Sequence, residues 1–440
     1  MQMYGVTMLK KLKIKIKTSF SSLESSLKSI IFALVPLMTF FLILSDRQPY
    51  NYFAFVLYGI ETLLILFFII KYHKFVFDIF SFLISLFVLT ILISQVMNFN
   101  LLGFPRTILL LSTFGIIFYQ FLLTLNAEEK LLIFRFIFIG GCLMAAFFLI
   151  YYFPDSFKFK FEHRLGRDLS DQNDLAKHFA LFTILSEYFS FKSRGKKKIP
   201  YIICGLVFVY ILLLTGSISN LLVLSLLTIG LIVYMAKGRR KLFAIIGIVA
   251  TIIVFIILLQ LPFMAYFKTR IENMVNTITT GSGSVDHSFI DRFNLAIYGL
   301  RLFTSKPLFG YGYDQVQFYT WGKDAFSHNN FVELLASFGI IGFIIFEFLL
   351  LFPIYKCWKK EGKEITVFLL LYLFAFQLFL IIYRKKIEHF LIPLSFSFVE
   401  PKLNGISIAI KKGRIEISKN GADRKKEPES YYSINIKNSI

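Results

Sequence analysis

Cysteine is scarce in this chain. The 440 residues include only Cys142, Cys204 and Cys357, which lie in or beside apolar runs without any paired spacing. Disulfide frameworks and zinc sites both need several cysteines at short, repeated intervals. The sequence therefore predicts neither a disulfide-stabilised domain nor a zinc site.

Acidic residues are also few. The chain has 27 of them against 48 lysines and arginines, which gives a formal charge of +21. Such an excess is one signature of proteins that bind nucleic acid. Here the basic residues separate apolar runs instead of clustering in one domain, so we predict no nucleic-acid partner.

Apolar sequence is present in excess. Hydrophobic residues make up 56% of the chain and aromatic residues 18%, and the mean hydropathy is +0.68. These values are too apolar for a soluble globular domain. We predict an all-α polytopic protein embedded in a lipid bilayer.

About twelve segments approach the roughly 20 apolar residues that a membrane-crossing helix needs. The predicted spans are 29–45, 51–70, 75–97, 106–125, 131–153, 175–191, 200–215, 219–236, 242–262, 331–355, 365–383 and, more weakly, 387–400. Only Thr215–Ile218 separates the seventh span from the eighth, so we expect a tight turn there.

Lysine and arginine predict the orientation, because they favour cytoplasmic loops. The start MLKKLKIKIKTSF has no signal-peptide cleavage site, and a cytoplasmic N-terminus places most basic loops inside. We expect residues 1–28 to be a cytoplasmic segment and 29–400 a transmembrane domain in a bacterial cytoplasmic (inner) membrane. Residues 401–440 then form a cytoplasmic, disordered tail.

Two long outer loops follow from this orientation, 154–174 and 263–330. One feature disagrees with the charge rule, because Arg384–Lys386 would also fall outside. The sequence leaves the topology after residue 383 open.

The first outer loop carries Arg164 and Arg167, followed by Asp171 and Asn173. One interpretation is a solvated loop in which Asp171 or Asn173 caps the sixth span. The other is an anion site, because guanidinium groups present forked donors to phosphate oxygens.

The second outer loop has helical spacing of apolar residues over 263–278 and 288–303. Arg292 and Arg301 lie nine residues apart, so at about 100° per residue they point to opposite faces of one helix. At most one of them can face a common site. Gly310 and Gly312 then form a turn that permits close backbone approach.

The predicted span 331–355 is preceded by His328, Asn329 and Asn330. Asn330 with Glu333 resembles a capping box at a helix start. Gly339 and Gly342 are typical of tight helix packing in lipid. His328 has no such structural explanation.

Together these segments resemble the signature of the O-antigen ligase and polymerase superfamily. The matching residues are Arg292, the turn Pro307–Gly312, His328, Asn329, Glu333, Gly339 and Gly342, with Asn173 and Ala176 upstream. The family often has Thr-x-Ser-Arg between two spans. This chain has Thr215, Gly216, Ser217 and Ile218 there, so the arginine is absent, and Arg164 or Arg167 is a candidate to supply its charge.

The resemblance implies a GT-C-like glycosyltransferase with one large outer loop between spans nine and ten. Its substrate would be an oligosaccharide linked to undecaprenyl diphosphate, without a metal or other cofactor, and its partners would include a flippase and a chain-length regulator. His328 is the candidate base, Arg292 binds the diphosphate, and Glu333 is a candidate to orient His328. Candidate substrate-binding residues are Arg164, Arg167, Asn173, Asn329, Gly310 and Gly312.

We expect polymerisation of repeat units into capsular, exo- or O-antigen polysaccharide. A ligase that moves a finished glycan to another acceptor shares the signature, as does a protein-glycosylating oligosaccharyltransferase. A twelve-span flippase or transporter is the alternative from another class, although the sequence shows no internal repeat.

Overall fold

The structure is a computed structural model of a mostly helical protein. It describes residues 2–45, 47–72, 75–98, 106–157, 164–236, 260, 265–280, 287–313, 315–319, 327–358, 360, 362–380, 382–383, 385, 387–399, 406–411, 414–419 and 432–435. The helices are α1 (Gln2–Leu44), α2 (Tyr50–Tyr72), α3 (Ile79–Met97), α4 (Arg106–Leu123), α5 (Ala127–Tyr151), α6 (Gln172–Lys192), α7 (Ile199–Leu214), α8 (Ile218–Met235), α9 (Ala265–Thr280), α10 (His287–Ser305), α11 (Val316–Tyr319), α12 (Asn330–Cys357), α13 (Glu364–Phe376) and α14 (Glu388–Phe396).

Within the described residues, seven helices are long and apolar enough to cross a membrane. They are Leu23–Leu44, Tyr50–Tyr72, Ile79–Met97, Ala127–Tyr151, Gly195–Leu214, Ile218–Met235 and Asn330–Cys357. The helix α6 lies where the sixth span was predicted and has 21 residues, but it is more polar than these seven. The predicted ninth span lies almost entirely outside the described residues. A polytopic helical membrane protein is thus confirmed, whereas twelve spans remain a prediction.

The end of the transmembrane domain differs from the prediction. The helix α13 ends at Phe376, so the expected eleventh span of 365–383 is only 13 residues long. The predicted twelfth span, 387–400, contains only the 9 residues of α14. At 1.5 Å per residue α14 is about 14 Å long, well short of the roughly 30 Å of hydrocarbon, so α14 by itself does not cross a membrane and the twelfth span stays a prediction.

Several described residues between α13 and α14 are buried. Gln377, Ile382, Tyr383 and Ile387 are at most 4% exposed. Non-helical backbone is tolerated at membrane depth only where protein or a water-filled cavity surrounds it. Hydropathy alone cannot distinguish such a buried break from a continuous helix, which explains why the predicted eleventh span extends beyond the end of α13.

A small antiparallel sheet adds to the helices, so the fold is not purely α. Its strands are β1 (Phe75–Phe77), β2 (Ile406–Lys411), β3 (Arg414–Lys419) and β4 (Tyr432–Asn435), in the order β1-β2-β3-β4. Val76 pairs with Ser407, and Ile408 pairs with Ile417. The tail expected to be disordered therefore contains strands, and its alternating isoleucines fit the two-residue period of a strand.

The helices that carry the site pack in two groups. The helix α6 packs against α7 and α8, whereas α12 packs against α3, α10 and α13. The tight turn predicted at 215–218 is present, because α7 ends at Leu214 and α8 begins at Ile218. Asp171 caps α6, and its carboxylate accepts from the backbone N–H groups of Asn173 and Asp174.

Candidate functional site

The helix α12 is interrupted near its start by the turn at 307–312. Gly339 has φ 66° within the helix, so the backbone leaves the helical path there. The backbone N–H of Tyr311 donates to the Ala336 carbonyl at 2.9 Å, and that of Gly312 donates to Ser337 at 2.8 Å. The turn therefore satisfies carbonyl groups that the break would leave without partners.

Hydrogen bonds also run from the helix to the turn. The N–H of Ile340 donates to the Pro307 carbonyl at 2.8 Å, and that of Ile341 to Leu308 at 3.5 Å. The turn and the helix thus exchange main-chain hydrogen bonds in both directions, as neighbouring strands do.

Glycine is required where these two segments meet. A Cβ on Gly310 would lie 2.4 Å from the Ser337 carbonyl carbon, and one on Gly339 would lie 2.2 Å from the Leu308 oxygen. A Cβ on Gly312 would lie 2.3 Å from the Gln95 side chain. Gly310 and Gly312 therefore allow the turn to pack closely against α12 and α3. Their predicted contact with substrate stays a prediction.

The helix α3 supports the same turn. The Ser94 hydroxyl lies within hydrogen-bond distance of the carbonyls of Phe309 and Ser337. The Asn98 amide donates to the Gly310 carbonyl at 3.0 Å. Because α3, α12 and the turn are joined in this way, the start of α12 has a fixed position.

His328 lies at that start, between two residues held by side-chain hydrogen bonds. The Glu333 carboxylate accepts from the hydroxyl of Ser327 at 2.8 Å and from its N–H at 3.2 Å. Asn329 caps α12, and its side-chain oxygen accepts from the Val332 N–H at 3.2 Å. His328 itself has φ 52°, in the left-handed region that non-glycine residues seldom occupy.

Two details of the predicted helix start are corrected. The cap is Asn329 and not Asn330, and Glu333 binds Ser327 in place of completing a capping box. The Glu333 side chain therefore supports His328 through the preceding residue. Asn330 has a different task, because its side-chain oxygen accepts from the N–H groups of Ile382 and Tyr383 at 2.7 and 3.1 Å.

The charges around His328 come from three parts of the chain. Burial lowers the pKa of the half-buried His328 ring, the positive charges of Arg292 and Lys385 lower it further, and Asp171 raises it. The close contact of Gly299 with Val332 brings α10, and with it Arg292, over the start of α12. Arg292 is half-buried, whereas Arg301 on the same helix is exposed, as the opposite-face argument predicted.

Arg164 lies beside the turn between α7 and α8. Its guanidinium donates to the Thr215 carbonyl at 2.8 Å and to the Asn173 side-chain oxygen at 2.9 Å. The Ser217 hydroxyl donates to the same Asn173 oxygen at 2.9 Å. A positive charge from another loop thus reaches the turn in which Ile218 occupies the position of the family's arginine.

A buried ionic cluster that was not predicted from the sequence lies at the start of α6. Lys177, which is fully buried, pairs with Asp174 at 2.8 Å and also with Glu388 of α14. Lys385 pairs with Asp174 at 3.0 Å. Lys385 is therefore at the same end of the bundle as Asp171, which accounts for a basic residue that the topology rule did not explain.

The predicted residues thus fall into adjoining groups. His328, Asn329, Glu333 and Arg292 meet at the start of α12, while Arg164 and Asn173 meet at the start of α6. Asp171 links the two groups, because it caps α6 and its charge acts on His328. Arg167 is exposed, and its backbone carbonyl accepts from the Arg47 guanidinium at 3.0 Å.

These features define a helical membrane protein with a charged site at one end of its helix bundle. Residues 203–347 match a family model described as O-antigen ligase. This match supports the resemblance to the O-antigen ligase and polymerase superfamily that the sequence shows. The matched segment includes His328 and Arg292 but ends before the tail and begins after Arg164. No curated protein matches the chain.

Proposed function

We propose that the protein polymerises lipid-diphosphate-linked oligosaccharide repeat units at the outer face of the cytoplasmic membrane. The observation that carries this proposal is His328, a half-buried imidazole with a lowered pKa, next to the positive charge of Arg292. Burial and the two basic neighbours favour the neutral ring, which is the form that accepts a proton.

In the proposed reaction, a hydroxyl oxygen of one repeat unit attacks the anomeric carbon of another. The bond from that carbon to the diphosphate breaks, and the hydroxyl proton moves to His328. The departing lipid diphosphate carries the electron pair as negative charge. Arg292 stabilises this charge, because a guanidinium is always protonated and offers paired donors to phosphate oxygens.

Other predicted residues have secondary roles in this proposal. Glu333 and Asn329 fix the backbone on either side of His328. Arg164 supplies a further charge close to Asn173 and substitutes for the arginine that the family has at position 218. The flippase and chain-length regulator remain proposed partners.

The ligase alternative has support in the description of the matched family as O-antigen ligase. The same chemistry would then transfer a finished glycan to another acceptor. Glycan analysis of a deletion strain separates the two activities. Accumulation of lipid-linked single repeats identifies a polymerase, whereas accumulation of long lipid-linked chains identifies a ligase.

His328→Ala and His328→Asn test the proposed base. Removal of a general base typically slows a reaction by about 10²–10⁴-fold, so both variants should abolish long glycan while the protein still accumulates in the membrane. Asparagine tolerates the left-handed backbone of this position, so His328→Asn removes the imidazole without adding strain. Normal high-molecular-weight glycan from either variant contradicts the assignment.

Arg292→Lys tests the diphosphate role, because lysine keeps the charge and loses the paired donors. We expect loss of most polymer in a gel-based glycan assay. Arg301→Lys is the matched control, since Arg301 lies on the same helix and is exposed. Equal polymer yields from both variants would exclude a specific role for Arg292.

A further inference from the structure

A cavity of about 360 Å³ opens at the start of α6, and it is lined by residues outside the matched family segment. Arg47, Arg167, Ser170, Asp171 and Gln172 form its walls. The volume falls in the range of small-molecule sites, about 300–1,000 Å³. Asp171 joins this cavity to the His328 site, because its charge also acts on His328.

The two guanidinium groups in the cavity come from different loops. Arg47 lies between α1 and α2, where its N–H donates to the Leu44 carbonyl at 3.1 Å. Its guanidinium donates to the Arg167 carbonyl at 3.0 Å, which fixes one loop against the other. The structure thus places two permanent positive charges near each other before any ligand binds.

The guanidinium of Arg167 forms no hydrogen bond or ion pair within the described part of the chain, and the cavity holds two arginines against the single carboxylate of Asp171. The carboxylate of Asp171 accepts two backbone N–H groups of α6, at 2.9 and 3.0 Å, and so is already occupied in part. The start of α6 adds the positive end of a helix dipole. The local balance therefore favours an anion.

Ser170 provides a separate indication of a ligand. It is fully buried and lines the cavity, yet its hydroxyl has no hydrogen-bond partner among the described residues. A buried hydroxyl without a partner costs free energy unless a ligand or water satisfies it. Gln172 is held differently, because its amide donates to the Arg164 carbonyl at 2.9 Å.

We propose that Arg47, Arg167 and Ser170 form an oxyanion subsite that binds a phosphate or carboxylate group of the glycan substrate. This inference rests on the proposed function, which supplies a substrate with such groups. The subsite binds and orients the substrate and takes no part in proton transfer, which belongs to His328.

Binding of two probes to the full chain in detergent micelles tests the proposal. Inorganic diphosphate represents the lipid-linked leaving group, and glucuronate represents an acidic sugar. Isothermal titration calorimetry should show saturable binding of at least one probe. Stronger binding of diphosphate would assign the subsite to the lipid diphosphate, and stronger binding of glucuronate would assign it to an acidic sugar in the repeat unit.

Three variants locate the binding. We expect Arg47→Gln and Arg167→Gln each to weaken it by about tenfold or more, since each removes a charge-assisted hydrogen bond. Ser170→Ala should weaken it several-fold. Arg167→Gln is the stricter test, because its side chain forms no hydrogen bond within the described residues and its loss leaves the loop contact intact.

Arg301→Gln is the control for net charge, and binding of both probes should be unchanged in it. Arg292→Gln is the comparison for the neighbouring site, and it should weaken binding less than Arg167→Gln does. The proposal is overturned if neither probe saturates, if Arg301→Gln weakens binding as much as Arg167→Gln, or if Arg292→Gln has the largest effect. Because glycan synthesis is not the readout, polymer made by His328→Ala would refute the proposed function and leave this result standing.

Discussion

The junction between α12 and the turn at 307–312 predicts a large effect of Gly339→Ala. Position 339 has φ 66°, and its added Cβ would lie 2.2 Å from the Leu308 carbonyl oxygen. With ψ −167° this backbone lies in a region essentially restricted to glycine, which costs a residue with a Cβ about 1–3 kcal/mol. The displaced turn would also lose the hydrogen bonds from Ile340 and Ile341, at about 0.5–1.5 kcal/mol each.

The sum is about 2–6 kcal/mol of lost stability. It should appear as a lower apparent melting temperature of the purified protein, followed by intrinsic fluorescence, and as reduced glycan synthesis. Gly59→Ala in α2 is the matched control, because nothing lies within 4 Å of its added Cβ. Alanine there should change stability by no more than about 1 kcal/mol, in the stabilising direction. The same melting temperature for both variants would refute the interpretation of the junction.

Two further predictions concern charge. Arg292 lowers the pKa of His328 and Asp171 raises it. In the pH profile of residual activity, Arg292→Gln should therefore move the acidic limb to higher pH, and Asp171→Asn should move it to lower pH. Unshifted limbs would contradict His328 as the titrating base. Lys177→Met should cost about 3–5 kcal/mol of stability, because it removes the cation that pairs with the buried Glu388 carboxylate and leaves Asp174 with Lys385 alone. Addition of Glu388→Gln should recover part of the melting temperature, and a Lys177→Met variant as stable as the parent would show that the cluster has no structural role.

Local patterns allowed good predictions of local structure. The short turn before Ile218, the cap at Asp171 and the opposite faces of Arg292 and Arg301 each depend on a few consecutive residues or on helical period alone. The family signature indicated His328, although its left-handed backbone and its neighbours could not be predicted.

Contacts between distant segments were not predictable from the sequence. Lys385 and Asp174 are 211 positions apart, and no sequence pattern in either segment predicts that the two residues pair. Asp174 and Lys177 did offer a signal, because an acid and a base three residues apart on one helix lie on the same face. The sequence predicts tight helix packing at Gly339 and not the break in α12. A glycine permits both close approach of a neighbouring helix and a positive φ, and the sequence does not distinguish the two.

The turn that enters α12 is attached through main-chain atoms and three glycines. The Leu308 side chain is 59% exposed and takes no part in that attachment. Because the attachment does not involve the outward side chain, the backbone conformation does not depend on that side chain. It can be exchanged for a charged, polar or aromatic one while the backbone conformation is retained. Position 308 can accordingly be varied while the scaffold beneath it stays unchanged.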